Sequence, residues 1–252
     1  MMQRLLAKPS PPPKPKPEVL LKPKLTAEQV LDGFLKNTGG AAAYAKIISA
    51  VASGTVAFVG QATRGTVEIK SKAPNKFLMR LLLPTQGEVS LGFDGKEGWS
   101  RDPNLGLRIL RGAELAQLKL QALQTNAPQN WRSYFKKVEN LGVAKVGAAS
   151  FYKLRLWPKD GSAPMIQFHD TTTLLLIRTD QVQESPQGKL STTTYTSDWR
   201  LTEGVKTPFQ VRQKTKELEL VFTFTQLRNN VPLLDTDFVR PAEVPNKPAK
   251  VR

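Results

Sequence analysis

Between residues 50 and 228 the chain alternates apolar and polar positions with a period of two over long stretches. Val67 and Ile69 alternate with Glu68 and Lys70, and Leu154 and Leu156 with Lys153 and Arg155. Leu218, Leu220, Phe222 and Phe224 alternate with Glu217 and Glu219. Successive side chains of a strand point to opposite faces, so each such segment has one wet and one dry side. The pattern predicts strands near 50–59, 64–72, 76–83, 87–93 and 96–101, then near 138–146, 150–157, 164–169, 174–184, 190–200, 205–214 and 217–228. Gly60, Pro74-Asn75, Pro84 and Asp94-Gly95 punctuate the first group. Asp160-Gly161, Asp170 to Thr172, Ser185 to Gly188 and Glu203-Gly204 punctuate the second.

Helical periodicity replaces this pattern in a few places. Thr26 is placed as an N-cap with Gln29 at the capping-box position, Leu25 and Val30 as a hydrophobic staple, and Gly39 as the stop. Val30, Leu31, Phe34 and Leu35 form the stripe of that helix, and a short second helix is expected from Ala41 to about Ile47. A third runs through Glu114, Leu115, Leu118, Leu120 and Leu123, bracketed by Gly112 and Asn126, and a helical turn after Pro128 carries Trp131, Tyr134 and Phe135. The strand-to-strand loops are too short for parallel crossovers. The fold class expected is therefore mainly β with a few helices (α+β), about 12 strands in one curved antiparallel sheet with helices packed on a single face.

The dry side of such a sheet would be large. Phe77, Met79, Leu81, Leu83 and Phe93, with Ile166, Phe168, Leu175, Ile177, Phe209 and Val211, are candidates for a concave apolar surface. Periodicity leaves two readings open: the helices fill the concavity as an ordinary core, or they leave a cavity that accepts an acyl chain or another elongated hydrophobe.

Composition narrows the chemistry. The 252 residues hold no Cys and one His, which removes disulfides, thiol catalysis and any site that needs two imidazoles. No stretch reaches 18 apolar residues, and GxSxG, Walker A, GxGxxG and HExxH motifs are missing. The lone His169 stands beside Asp170, an arrangement that suits a hydrogen-bonded strand-end histidine better than a catalytic base without a nucleophile. No enzyme, metal or cofactor is expected. The net charge of +16 draws anionic partners. Residues 1–24 interleave proline and lysine, with six basic residues and one acidic, and read as a disordered or polyproline arm; 241–252 form a basic tail around a single domain at 25–240. Cations scattered over alternate strand positions, with Trp99, Trp131, Trp157 and Trp199 dispersed, fit a solvated convex face or an anionic membrane surface and disfavour nucleic acid.

A series of short motifs then adds a family. AEQVLDGFLKNTGGAAAYAKI (27–47), APNKF (73–77), GFDGKEGW (92–99), LRGAELAQL (110–118), YKLRLWPKDG (152–161), TYTSDWRLTEGVKTPFQVRQ (194–213) and FTFTQLRNNVPLLDTDF (222–238) follow one another in an order that resembles the outer-membrane lipoprotein-sorting proteins, the superfamily of LolA, LolB and LppX. The resemblance implies an unclosed half-barrel with a helical lid, an extracytoplasmic location, and a hydrophobic cavity that holds a lipid or an acylated lipoprotein without catalysis. It transfers to the apolar lining, for which the candidates are Phe34, Met79, Leu81, Leu91, Leu115, Leu118, Leu156, Phe168, Ile177, Phe222 and Phe224. Without cysteine there is no lipid-bearing anchor residue, and an export signal is expected to lie outside this chain; a monomer is expected. The alternative is an envelope interaction protein with a filled core that binds an anionic membrane, polymer or protein through its basic surface.

Overall fold

The described residues form thirteen strands: β1 (Ser49–Phe58), β2 (Arg64–Lys72), β3 (Lys76–Leu83), β4 (Gly87–Phe93), β5 (Gly98–Asp102), β6 (Gly106–Ile109), β7 (Phe135–Val146), β8 (Ala149–Pro158), β9 (Met165–Asp170), β10 (Leu176–Ser185), β11 (Gly188–Thr202), β12 (Val205–Lys214) and β13 (Glu219–Asn229). Among the described residues four α-helices accompany them, α1 (Ala27–Asn37), α2 (Ala41–Ala45), α3 (Gly112–Asn126) and α4 (Trp131–Tyr134). The computed structural model describes residues 19–84, 86–185 and 188–242. Most of the arm expected over 1–24 and of the tail expected over 241–252 lies outside those residues.

All the strands join one antiparallel sheet in the order β6-β5-β4-β3-β2-β1-β13-β12-β11-β10-β9-β8-β7. Its two edges, β6 and β7, are consecutive strands in the sequence but stand at opposite ends of the sheet, which is therefore unclosed. The chain leaves at one edge and re-enters at the other, and α3 lies on that path. The expectation of about 12 strands missed β6, four residues interrupted by Arg108. Asp102 makes the reversal before it by accepting the N–H groups of Asn104 (2.8 Å) and Leu105 (3.1 Å).

At the β7–β9 end the concave face is plugged. Thr26 Oγ1 accepts the Gln29 N–H and Gln29 Oε1 accepts the Thr26 N–H, at 3.2 and 2.8 Å, so α1 starts with a complete capping box. Its buried Ala27, Val30 and Leu31 pack in one cluster with Tyr152, Leu154 and Leu156 of β8, Met165 of β9 and Trp131, Tyr134 and Phe135. Gly33 seats the helix: a Cβ there would lie 2.3 Å from Leu174 Cδ1. Asp32 ties α1 to α4, paired with Arg132 at 2.6 Å and accepting the Trp131 indole N–H at 3.2 Å; the Arg132 guanidinium holds its carboxyl below the ordinary range. The outer edge, β7, is covered by the N-terminal segment, where Leu21 and Val143 exchange backbone hydrogen bonds of 2.9 and 2.8 Å.

The convex face carries a second small core. After β13 the chain crosses back over β2–β5, and a 3₁₀ turn (Asp235–Phe238) inserts the fully buried Phe238 between Leu78 and Trp99. The Trp99 indole N–H donates to the Phe238 carbonyl at 3.0 Å. Asp235 pairs with Lys72 (2.8 Å) and Lys76 (3.2 Å), Asp237 with Lys70 (3.4 Å), and Arg240 with Glu97 (3.2 Å).

Candidate binding cavity

Helix α3 is held at both sides and stands off the middle of the sheet. On one side Leu118 and Ala122 pack with Phe77 and Phe93, and Asn126 donates to the Lys76 carbonyl at 3.0 Å. Gly98 permits this seat, since a Cβ there would lie 2.7 Å from Leu115 Cδ1. On the other side the Gln117 amide donates to the Val182 carbonyl (3.2 Å) and accepts the Glu184 N–H (3.1 Å), mimicking a strand partner for β10. Beneath α3 a cavity of about 840 Å³ remains, within the range of roughly 300–1,000 Å³ that holds small-molecule ligands.

Its walls differ in chemistry. From β1–β4 and β12–β13 come Ala52, Ile69, Met79, Leu91, Val211 and Phe222, with Phe224 and Leu227 beside them. From β9–β12 come Gln167, Thr179, Gln181, Gln183, Thr194 and Gln213, and α3 adds Gln117, Gln121 and Gln124 at helical spacing. Its charged side chains are Arg108, Glu114 and Glu184; Arg108 is paired with Glu114 at 3.0 Å, and Glu184 lies 3.9 Å from Lys189.

Of the residues expected to form an apolar lining, Met79, Leu91, Leu118, Phe222 and Phe224 come together around this space. Leu81 packs in the cluster of Val56, Val67, Leu83 and Phe209 that continues the apolar wall, and Leu115 packs on the Phe77–Phe93 cluster that supports α3. Leu156 belongs to the solid plug under α1. Phe34, on α1, meets His169 and Trp199 edge-on at ring distances of 5.5 and 5.8 Å. Phe168 has the opposite parity from Met165 and Gln167 and lies on the convex side under Lys153 and Arg178, 5.5 and 4.8 Å from its ring centre. Ile177 is the extra residue of a β-bulge, between the cavity-lining Leu176 and Arg178.

His169 is 1% exposed, with Nδ1 3.0 Å from the Leu174 carbonyl and Nε2 3.1 Å from the Gln167 amide oxygen. Burial pushes its pKa down to about 4, so the imidazole is neutral near pH 7. Asp170 does not orient it; its carboxylate accepts the N–H groups of Thr172 and Thr173 at 3.0 and 2.7 Å. Among the described residues no three His, Asp or Glu side chains gather as a metal site.

No family model matches the sequence, and no curated protein matches it significantly. Solved structures do match. A LolA superfamily protein from Nitrosomonas europaea superposes with a TM-score of 0.55 at 15% identity, over 85% of this chain and 98% of its own. The fold is LolA-like. A DUF1329 family protein from Desulfovibrio piger superposes at 0.56 and 15% identity, over 84% of this chain and 97% of its own. A domain from Vibrio parahaemolyticus named for outer membrane lipoprotein sorting does so at 0.54 and 12%, over 84% and 97%. At these identities the likeness shows the fold. No helix of the described residues is long and apolar enough to cross a membrane.

Within the LolA-like frame, sequence reasoning missed the glutamine and threonine wall. Strands β10 and β11 are polar on both parities: Thr179, Gln181, Thr192, Thr194 and Thr196 face one side and Arg178, Asp180, Thr193 and Tyr195 the other. A period-two signal has no amplitude when neither side is oily. The usable signal was finer, since over 176–196 the charged residues Arg178, Asp180, Glu184 and Lys189 all fall on the parity opposite Thr179, Gln181 and Thr194.

Proposed function

We propose that this protein is a non-catalytic carrier of the bacterial cell envelope, acting outside the cytoplasm, that holds the acyl chain of a lipid or lipoprotein beneath α3. The observation that carries the reading is the cavity of about 840 Å³ whose apolar wall, Met79, Leu91, Phe222 and their neighbours, is left unfilled by the helix above it. Each methylene buried there contributes about 0.8 kcal/mol, so a chain of about 12 carbons supplies roughly 10 kcal/mol before the costs of association. The LolA-like fold and the name of the lipoprotein-sorting domain that shares it support the same reading. The chemistry at hand supports binding without turnover, because His169 is buried and neutral and its ring lies between the Leu174 carbonyl and the Gln167 side-chain amide.

The test is native mass spectrometry and lipid extraction of the purified full chain, with a fluorescent fatty-acyl probe as the quantitative readout. A retained or captured acyl compound is expected, and Phe222→Asp should abolish capture. Ala52→Trp, which fills the space without adding a charge, should weaken it at least tenfold while the melting transition persists. A folded wild-type protein that retains no lipid and ignores acyl probes would overturn the reading.

A further inference from the structure

The cavity's polar wall is built unlike the wet surface of the same strands. On β10–β12 the outward parity carries Arg178, Asp180, Arg212 and Lys214, tied into ion pairs with neighbours such as Glu219. The inward parity of those strands is uncharged over Thr179, Gln181, Thr194 and Gln213, all half-buried. Register sets these groups side by side: Thr179 opposes Thr194, which opposes Gln213 on its other flank, and Gln181 opposes Thr192. Directly opposed strand residues have Cβ atoms about 4.5–5.5 Å apart, so the hydroxyls and amides form one continuous patch.

Two further observations give the patch a direction. Among the described residues the side chains of Thr179, Gln181, Thr194 and Gln213 make no hydrogen bond within the protein. Gln183, by contrast, accepts the Thr192 hydroxyl at 3.0 Å, and Gln167 meets His169. The free donors and acceptors therefore cluster and face the cavity. The lining's one cation among the described residues, Arg108, is already paired with Glu114, so a ligand anion would find no counter-charge there, and burying an unpaired carboxylate or phosphate is far costlier than burying a neutral polar group that is hydrogen-bonded.

From this we infer that the glutamine–threonine wall is a subsite for an uncharged polar group, the ester, amide or hydroxyl portion of a neutral acylated molecule whose chain lies along the Met79–Phe222 wall. The inference rests on the carrier reading and adds ligand class to it: neutral amphiphiles are preferred over fatty-acid anions and acidic phospholipids. A wall meant only to be wet would use lysine, arginine and glutamate, as the convex side of the same strands does.

Four ligands with the same oleoyl chain test it on the purified full chain at pH 8: monooleoylglycerol, N-oleoylethanolamine, oleate and oleoyl-lysophosphatidylglycerol. At least one of the two neutral ligands is expected to bind at least tenfold tighter than either anion, and the tighter of the two tells whether the ester or the amide is the natural partner. Gln181→Leu with Thr194→Val, near-isosteric and unable to hydrogen-bond, should weaken the neutral ligand about tenfold and leave oleate unchanged or tighter, each lost neutral hydrogen bond accounting for roughly two- to tenfold. Gln213→Leu, on a separate strand, makes the same measurement if the double variant fails to fold. Equal affinity for all four ligands overturns the inference and leaves the carrier reading standing, as does a variant that loses neutral and anionic ligands alike. Binding of none overturns both.

Discussion

The two ends of one concave face have opposite fates. Around β7–β9 the helices α1 and α4 close on the sheet so completely that Val30 and Leu154 are 0% exposed and Leu156 is 1%. Around β1–β4 and β10–β13 the same face is covered mainly by α3, which is pinned at Phe77–Phe93 on one side and at Val182 and Glu184 on the other, with Tyr44 and Ile47 at the margin, and space remains beneath it. Apolar residues line both regions, so hydrophobicity does not decide which is core and which is hollow. What decides is how the covering helix is seated. Helix α1 has its own capping box and lies over the clearance at Gly33, whereas α3 bridges two distant supports and turns Gln117, Gln121 and Gln124 toward the sheet between them.

The sharpest way to break this contrast is Leu154→Ala. Side chains pack around Leu154 on every side, so the truncation should cost about 4 kcal/mol of unfolding free energy, near the top of the range for leucine truncations, while leaving acyl-probe affinity unchanged. Urea denaturation and a probe titration read the two quantities. A loss below about 1 kcal/mol would mean that this end is loosely packed as well.

His169 sharpens the comparison next, because it sits where α1 and β9 meet. Burial depresses its folded pKa to about 4 from the ordinary histidine value of 6.5. As pH falls the unfolded chain takes up the proton first, so the contribution of neutral His169 is complete above about pH 6.5 and lost on the way down to about pH 4. At about 1.36 kcal/mol per unit this amounts to roughly 3 kcal/mol. His169→Gln keeps a polar group at the site and removes the titration, so its stability curve between pH 6.5 and 4 should be flatter than the wild type's. Parallel curves would show that the imidazole is not buried in solution.

Much of this was legible in the residues. Phe222 and Phe224 continue the parity of Leu218 and Leu220, which alternate with Glu217 and Glu219, and Thr26 with Gln29 announces α1; in both regions local pattern and tertiary contacts agree. Phe168 was not legible, because β9 reads Met-Ile-Gln-Phe-His and has apolar residues on both parities, so periodicity could not choose its face. Ile177 depended on a bulge that shifts the register by one residue, which side-chain alternation alone does not reveal. The division of the concave face was hidden for a different reason. Leu156 and Met79 are equivalent as patterned strand residues, and only the seating of α1 and α3, a property of distant contacts, places one in solid core and the other beside open space.

The smallest effects probe the helix starts themselves. Thr26 supplies the Oγ1 that satisfies an otherwise unpaired N–H at the head of α1, so Thr26→Ala should cost about 1 kcal/mol. At the corresponding position of α3 stands Arg111, in extended backbone with no side-chain hydrogen bond to the helix and with its positive charge at the positive end of the helix dipole. Arg111→Ser supplies the missing acceptor and removes that charge, and should therefore stabilise by up to about 1 kcal/mol. Hydrogen exchange separates the helices in the wild type: amides in the first turn of α3 should exchange faster than those of α1, and Arg111→Ser should slow only the former. If both first turns exchange alike, the covering helix of the hollow region is as firmly nucleated as that of the packed one, and the standing-off of α3 must come from its two side anchors alone.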